Sequence, residues 1–139
     1  MRDVQYLLDT DICIQMIRRR PAVLLRRVRD AQPGSLALSI ITVAELWYGA
    51  QKSSQPDQNR SALKMFLRPF SILPFGEEAA QYYGRVRADL EASGIPIGPM
   101  DTLIASQALQ QRATLITHNA REFSRVEGLL MEDWLAAPG

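Results

Sequence analysis

The chain has 139 residues, of which 47% are hydrophobic and 22% charged, and its formal net charge is +1. These values are typical of one globular domain, which we expect to span residues 1–139, and they argue against a disordered chain. The only cysteine, Cys13, excludes an internal disulfide and a cysteine-ligated zinc site. The apolar run before Asp9 is too short for a signal peptide, and no run is long enough to span a membrane. We therefore expect a cytoplasmic protein.

Short apolar runs alternate with amphipathic segments along the chain, which predicts an α/β fold around a mainly parallel sheet. In chain order we predict a strand at 4–8, helices at 10–19 and 21–30, a strand at 36–38, a helix from 39 or 42 to 52, a helix at 58–67, a strand at 71–73, helices at 76–91 and 100–112, a strand at 114–117 and an edge strand in the tail from 129. The segment at 93–99 carries two glycines and two prolines and is predicted as a loop.

Isolated acidic residues occur in three otherwise uncharged segments. The only charges are Asp9 and Asp11 between residues 4 and 17, Glu45 between 31 and 51, and Asp101 between 92 and 111. A charge in a buried segment is costly unless something pairs with it. Because the carboxyl ends of parallel strands meet at one edge of a sheet, we expect these carboxylates to converge there. Carboxylates without matching cations favour a site for Mg²⁺ or Mn²⁺, and their pKa values should be raised in the metal-free protein.

Each of these carboxylates also has a purely structural interpretation. Thr42 and Glu45 have the spacing of a capping box at a helix N-terminus. Asp101 follows Gly98-Pro99 and could interact with a helix dipole, and Asp11 could cap the first helix. Taken one at a time, these alternatives are as good as a metal site. The occurrence of all three favours the metal site.

A fourth polar group follows the predicted strand at 114–117. The side-chain oxygen of Asn119 could ligate a cation or orient a water, and Glu122 could reach the site instead, although a solvated surface glutamate is the simpler interpretation. The Thr117 hydroxyl at the strand end could hydrogen-bond a ligating carboxylate. His118, the only histidine, is expected to be a surface residue.

The basic residues are unevenly distributed. Arginine accounts for all but Lys52 and Lys64, and arginines are concentrated in the first thirty residues. The planar guanidinium suits phosphates, so the cluster is compatible with nucleic acid binding. A solvated helix face is the alternative.

Four sequence motifs resemble those of PIN-domain ribonucleases. Leu7–Asp11 and Ile41–Gly49 are similar to the first two motifs of that family, and Ile97–Ala105 is similar to the third. Thr117–Phe123, together with the tail at 128–134, resembles the fourth region of the VapC toxins of bacterial toxin–antitoxin pairs. The resemblance covers residues 4–134, and four motifs in order are specific where one would be weak.

The resemblance implies a three-layer α/β/α domain with a mainly parallel sheet of about five strands. It also implies an Mg²⁺- or Mn²⁺-dependent endoribonuclease, usually a homodimer, that a VapB-type antitoxin silences. Relatives of this type are expected to cut transfer RNA in the anticodon stem-loop. Asp9, Glu45 and Asp101 match the three family acids, whereas Asn119 stands where a fourth acid is usual.

This comparison assigns roles to the candidate residues. Asp9 and Asp101 would ligate the metal, Glu45 would ligate it or hold a metal-bound water, and Thr117 and Asp11 would support the ligands. The RNA backbone would contact a basic set consisting of Arg18, Arg19 and Arg26. Trp47 and Tyr48 are predicted to line a groove for the antitoxin, the alternative being that both belong to the core.

Two other functions remain open from the sequence. Asp9-Thr10-Asp11 after a strand also resembles the nucleophile and acid of haloacid-dehalogenase-like phosphatases, although the lysine expected late in that family is missing because both lysines precede residue 65. A PIN-like RNA-binding regulator, catalytically weak because of Asn119, is the third possibility.

Overall fold

The structure, a computed structural model, describes residues 4–136. The ends of the domain predicted over residues 1–139 lie outside the described residues. The strands are β1 (Tyr6–Leu8), β2 (Leu36–Ser39), β3 (Ser71–Leu73), β4 (Thr114–Ile116) and β5 (Met131–Glu132). They form a five-stranded sheet in the order β3-β2-β1-β4-β5, and every neighbouring pair is parallel. The predicted α/β class, parallel sheet and edge strand in the tail are therefore confirmed.

Helices connect these strands. Their bounds are α1 (Thr10–Arg18), α2 (Ala22–Asp30), α3 (Ile40–Lys52), α4 (Pro56–Leu67), α5 (Glu77–Ala92), α6 (Pro99–Gln111) and α7 (Ala120–Phe123). The first six agree with the predicted helices to within about two residues, whereas α7 was not predicted. No helix in the described range 4–136 is long and apolar enough to cross a membrane.

The sheet separates two hydrophobic clusters, because successive side chains of a strand point to opposite faces. Leu8 and Leu38 pack on one face against α1, α3 and α4, and Cys13 belongs to this cluster. Leu7 and Ala37 pack on the other face against α5 and α6. The result is the expected three-layer α/β/α arrangement.

The strand order reverses between β1 and β4. From β1 the chain continues to β2 on one side, whereas the neighbour on the other side is β4, more than one hundred residues later. In open parallel sheets, ligands bind at the carboxyl ends of the strands where the order reverses in this way. Asp9 directly follows β1 and Thr117 directly follows β4, so both lie at this position.

Candidate active site

Asp9 lies at the end of β1 and is almost fully buried, with 2% of its surface exposed. Its side chain caps α1, because Oδ1 accepts a hydrogen bond from the Ile12 amide at 2.8 Å. The cap of this helix is therefore Asp9, and neither Thr10 nor Asp11 serves as the cap. The Asp9 backbone amide also donates to the Ile116 carbonyl of β4 at 3.0 Å. This bond joins Asp9 to the neighbouring strand, so the fold itself buries the residue.

The pKa of Asp9 is raised from 3.8 to about 7. Burial is the largest cause, and the negative charges of Asp11 and Asp101 raise the pKa further. Hydrogen bonds from the Thr117 hydroxyl and the Ile12 amide lower it in part. Thr117 thus lies beside a candidate ligand, where the sequence predicted it.

Asp101 occupies the first turn of α6 and is half-buried. Burial raises its pKa from 3.8 to about 6, and the charges of Glu122, Asp11 and Glu45 add to the rise. Its position at a helix N-terminus agrees with the structural interpretation as well. The dipole does not compensate for the neighbouring carboxylates, because the pKa rises instead of falling. The expected upward shifts are confirmed for Asp9 and Asp101.

Glu45 lies in the second turn of α3, close enough to Asp101 for its charge to raise the pKa of Asp101. The Thr10 hydroxyl donates to Glu45 Oε1 at 2.7 Å and lies 3.0 Å from the Thr42 hydroxyl. The capping box considered for Glu45 is not formed: α3 begins at Ile40, and Ser39 is its cap through a 3.0 Å bond from the Ile41 amide. Glu45 is therefore left facing Thr10.

The segment after β4 contributes a carboxylate as well as an amide. Asn119 Nδ2 donates to Glu122 Oε2 at 2.7 Å, and the Gly98 amide donates to Glu122 Oε1 at 3.2 Å. The Asn119 backbone amide in turn donates to the Thr117 hydroxyl at 2.9 Å. These bonds hold Glu122 beside Asp101, whose pKa it raises. The sequence had favoured a solvated Glu122, so the structure corrects that interpretation.

The donor set fits a hard divalent cation. It consists of the carboxylates of Asp9, Asp11, Glu45, Asp101 and Glu122. All donors are oxygens, which suits Mg²⁺ or Mn²⁺ better than a soft metal. Among residues 4–136 none of these groups forms an ion pair, so their charges are not compensated by arginine or lysine. In the same range no three acidic, histidine or cysteine side chains form a group already arranged to hold a metal ion.

An apolar groove of about 340 Å³ lies next to Glu45. Helices α1, α3 and α4 form it, and its lining includes Ile14, Ile17, Leu46, Gly49 and Leu63. The groove thus lies on the Leu46–Gly49 side of α3.

The two aromatic residues predicted to line a groove are not among the residues of this one. Trp47 packs against the hydrophobic cluster that contains Leu8, as in the core alternative. Tyr48 is 65% exposed, with the Lys52 ammonium 4.9 Å from its ring centre. The sequence missed this because the position of a groove depends on how α4 packs against α3.

The candidate RNA-binding arginines lie on α1 and α2 and in their connection. Arg18 lines the groove together with Glu45. Arg19 and Arg26 are exposed, and neither forms an ion pair within residues 4–136. His118 is also a surface residue, with Nδ1 2.9 Å from Asp133 Oδ2.

The sequence interpretation gave Thr10 no role in the site and treated Glu122 only as an alternative to Asn119. The Thr10 hydroxyl nevertheless donates to Glu45. Glu122 lies one turn after Asn119 in a helix too short to show a periodic pattern. The sequence did contain signals for both residues. Thr10 lies between the isolated acids Asp9 and Asp11, and Glu122 follows Asn119 by three residues.

Comparison with known proteins agrees with this geometry. The PIN domain family matches residues 6–129. The chain is similar to ribonuclease VapC2 of Rickettsia felis, with 41% identity over 130 residues, 93% of this chain and 97% of the relative. It is also similar to the tRNA(fMet)-specific endonuclease VapC of Shigella flexneri, with 39% identity over 131 residues, 94% of this chain and 98% of the relative.

Solved structures show the same likeness. A chain in the crystal structure of DNA-bound VapBC from Salmonella typhimurium superposes with a TM-score of 0.91 and 35% identity, covering 94% of this chain and 98% of that chain. The matches extend over nearly the whole chain and are to ribonucleases. They therefore argue against the haloacid-dehalogenase-like phosphatase alternative.

Proposed function

This chain belongs to the PIN-domain family, among the VapC ribonucleases, and we propose that it is an Mg²⁺- or Mn²⁺-dependent endoribonuclease that cuts transfer RNA and is silenced by a VapB-type antitoxin. The family supplies the ribonuclease class. Transfer RNA as substrate is supported by the tRNA(fMet)-specific relative. An antitoxin partner is supported by the likeness to a chain of a VapBC assembly.

The observation that carries the proposal is the pair of raised pKa values at the switch point of the sheet. Asp9 and Asp101 reach about 7 and about 6, and neighbouring carboxylates contribute to both shifts. A divalent cation would remove this repulsion and return both groups to their ionised form. Clusters that are destabilising without a cation are typical of sites that bind one.

In the proposed reaction, Asp9 and Asp101 hold the cation, and Glu122 joins from the side of Asp101. When bound, the cation lowers the pKa of the attacking water and stabilises negative charge on the phosphoryl oxygens. Thr10 occupies Glu45 Oε1, which leaves Oε2 free to accept a proton from that water. Asn119 acts as a positioning residue, because its side-chain amide donates to Glu122.

The RNA backbone would approach over α1, where Arg18 lies beside Glu45 and Arg19 is exposed, and Arg26 would extend this basic surface onto α2. Phosphate contacts of this kind position the strand without reading its sequence. They would bring a phosphate toward the carboxylates only with a cation present, since acidic groups alone repel RNA.

The apolar groove next to Glu45 would receive the antitoxin. Its lining by Ile14, Ile17 and Leu46 suits the apolar face of a helix or an extended segment. Tyr48, exposed on the other side of α3, remains available to contact the same partner at the rim. A homodimer is part of the proposal as well, and the exposed Ile72 on edge strand β3 is consistent with a second copy.

The experiment is cleavage of purified transfer RNA by the antitoxin-free protein with Mg²⁺, with Mn²⁺ and with a chelator. We expect specific cutting in the anticodon stem-loop with either metal and none with the chelator. Asp9→Asn should be inactive, and Asp30→Asn, a change of an exposed aspartate, should cut like the wild type. RNA binding without cleavage under all conditions would favour the RNA-binding regulator instead.

A further inference from the structure

A second cavity lies on the other side of the acidic site from the apolar groove. Its volume is about 220 Å³, and it lies between the second half of α5 and the start of α6. Its walls include Tyr83 and Arg87 of α5, Pro96 and Ile97 of the connecting loop, and Pro99 and Thr102 of α6. None of these side chains has a role in the reaction proposed above.

The cavity is adjacent to Asp101. Pro99 and Thr102 precede and follow Asp101 within one helical turn, which rises about 5.4 Å. The loop between α5 and α6 is hydrogen-bonded to Glu122 of the acidic site, because the Gly98 amide donates to the Glu122 carboxylate. Asp101 does not itself line the cavity, so a ligand there would lie within about one helical turn of the carboxylates and not in contact with Asp101.

The chemistry of the walls is an aromatic ring beside an arginine. Arg87 Nη1 donates to the Tyr83 hydroxyl at 3.1 Å, and Nε donates to Glu91 at 3.0 Å. Arg87 Nη2 has no hydrogen-bond partner among residues 4–136. A guanidinium has five N–H donors, so Arg87 can bind a phosphate oxygen while keeping both of these contacts.

We propose that this cavity binds one nucleotide of the RNA substrate next to the scissile phosphate, with its base against Tyr83 and its phosphate at Arg87. This inference rests on the proposed ribonuclease function. Ordinary ligand pockets are roughly 300–1,000 Å³, so the smaller cavity suits a single base and not a larger ligand. Stacking of bases on aromatic side chains, with arginine at the backbone, is the usual way in which proteins bind single-stranded RNA.

A peptide is the less suitable occupant. The groove beside Glu45 is larger and lined mainly by aliphatic side chains, which suits an antitoxin segment. The cavity at Tyr83 instead presents the Tyr83 ring and the Arg87–Glu91 ion pair. Together these features match the charge and planarity of a nucleotide.

Helix α5 provides a matched control for this cavity. Tyr82 and Arg85 form a second tyrosine–arginine pair, with the guanidinium 4.8 Å from the ring centre, and neither residue lines the cavity. The variants Tyr83→Leu and Arg87→Gln therefore have counterparts of identical chemistry in Tyr82→Leu and Arg85→Gln. Tyr83 is half-buried and Arg87 is exposed, so their substitution leaves the core intact.

The readout is the Kd for a synthetic tRNA(fMet) anticodon stem-loop, measured by fluorescence anisotropy with Mg²⁺ in a Glu45→Gln background, which removes the proposed proton acceptor so that the RNA stays intact while Asp9 and Asp101 are kept. We expect Tyr83→Leu and Arg87→Gln each to weaken binding about tenfold, the order of magnitude of one stacked base. Glu91→Gln, which removes a negative charge beside Arg87, should strengthen binding about twofold to fivefold. The Tyr82 and Arg85 variants should change binding less than twofold.

The same measurement with abasic RNAs identifies the stacked base. Removing one base at a time should weaken binding to the Glu45→Gln protein at one position next to the cleavage site, and at that position Tyr83→Leu should cause no further loss. Two results would overturn the proposal. One is an equal loss of RNA affinity in Tyr82→Leu and Tyr83→Leu, and the other is a loss in Tyr83→Leu that adds to the loss from base removal at every position. A Tyr83→Leu variant that binds RNA normally but fails to bind the antitoxin would also overturn it and would indicate a protein site. Cleavage of transfer RNA is measured separately, so its absence contradicts the ribonuclease function without deciding this binding test.

Discussion

The Asn119 side-chain amide donates a 2.7 Å hydrogen bond to the Glu122 carboxylate. Because the Gly98 amide binds the other oxygen of Glu122, this carboxylate is fixed beside Asp101 although one contact spans 24 residues of sequence. The site thus obtains a further acidic group from the turn after Asn119.

This arrangement predicts that Glu122 contributes to cation binding, although its side chain is only half-buried. Glu122→Gln removes the charge that raises the pKa of Asp101 and removes a candidate cation oxygen. We expect the Mg²⁺ concentration for half-maximal cleavage to rise about 10- to 100-fold, as for other groups that support a metal site. Glu127→Gln, a change of an exposed glutamate nearby in sequence, is the control. An unchanged metal requirement in Glu122→Gln would show that Glu122 does not contribute.

The pKa of Asp9 predicts how stability depends on pH. The folded metal-free protein keeps this proton up to about pH 7, whereas the unfolded chain loses it near 3.8. Between these values the folded state binds more protons, so the free energy of unfolding should fall as the pH rises from about 4 to about 7. Asp9→Asn removes the part of this fall that Asp9 causes, while an amide oxygen still caps α1 and the smaller part due to Asp101 remains.

At about pH 8 without metal, Asp9→Asn should therefore be more stable than the wild type by on the order of 2 kcal/mol. Urea unfolding at several pH values measures the difference. Asp30→Asn should follow the wild-type pH dependence. A less stable Asp9→Asn protein at that pH would mean that the buried carboxylate is compensated in the folded state.

The Thr10 hydroxyl is predicted to act through Glu45. Thr10→Val keeps the shape of the side chain but removes the donor to Glu45 Oε1. We expect kcat to fall about 10- to 100-fold with little change in KM, because orientation of Glu45 and not RNA binding is lost. Thr10→Ser should restore most of the activity. Loss of activity in both variants would indicate a packing role for the threonine methyl group.

The basic surface on α1 and α2 predicts a salt effect. Replacing Arg18, Arg19 and Arg26 by glutamine should weaken RNA binding and lower the slope of log K against log salt by about 2, since fewer counterions are released. The control replaces Lys64, Arg68 and Arg112, which are exposed basic residues at the ends of α4 and α6, outside α1 and α2. Equal slopes for the two triple variants would favour a merely solvated helix face.

The strands and the principal acids could be predicted from the sequence because both depend on local pattern. Leu7 and Leu8 belong to a continuous apolar run, as expected for a strand buried on both faces, and Asp9 is the charge that ends it. Asp101 was recognisable in the same way. The cap of α1 was harder to assign, since Asp9, Thr10 and Asp11 all have side chains that can cap a helix.

Contacts between distant segments could not be predicted from pattern. The position of Glu122 depends on a bond to Gly98 across the molecule. Trp47 packs against the core because of how α3 lies on the sheet, and the groove next to Glu45 forms only where α4 packs against α3. Sequence periodicity gives the faces of a helix but not which neighbour covers each face.

We propose above that Asp9 at the end of β1 and Asp101 at the start of α6, joined by Glu122 after β4, bind the cation used for RNA hydrolysis. Crystals soaked in Mn²⁺ test this most directly, by the position of the anomalous scattering peak. We predict a peak between Asp9 and Asp101, with oxygen ligands at about 2.0–2.6 Å, that disappears in Asp9→Asn. A wild-type protein that cuts RNA with Mn²⁺ but shows its peak elsewhere, or no peak, would contradict the account.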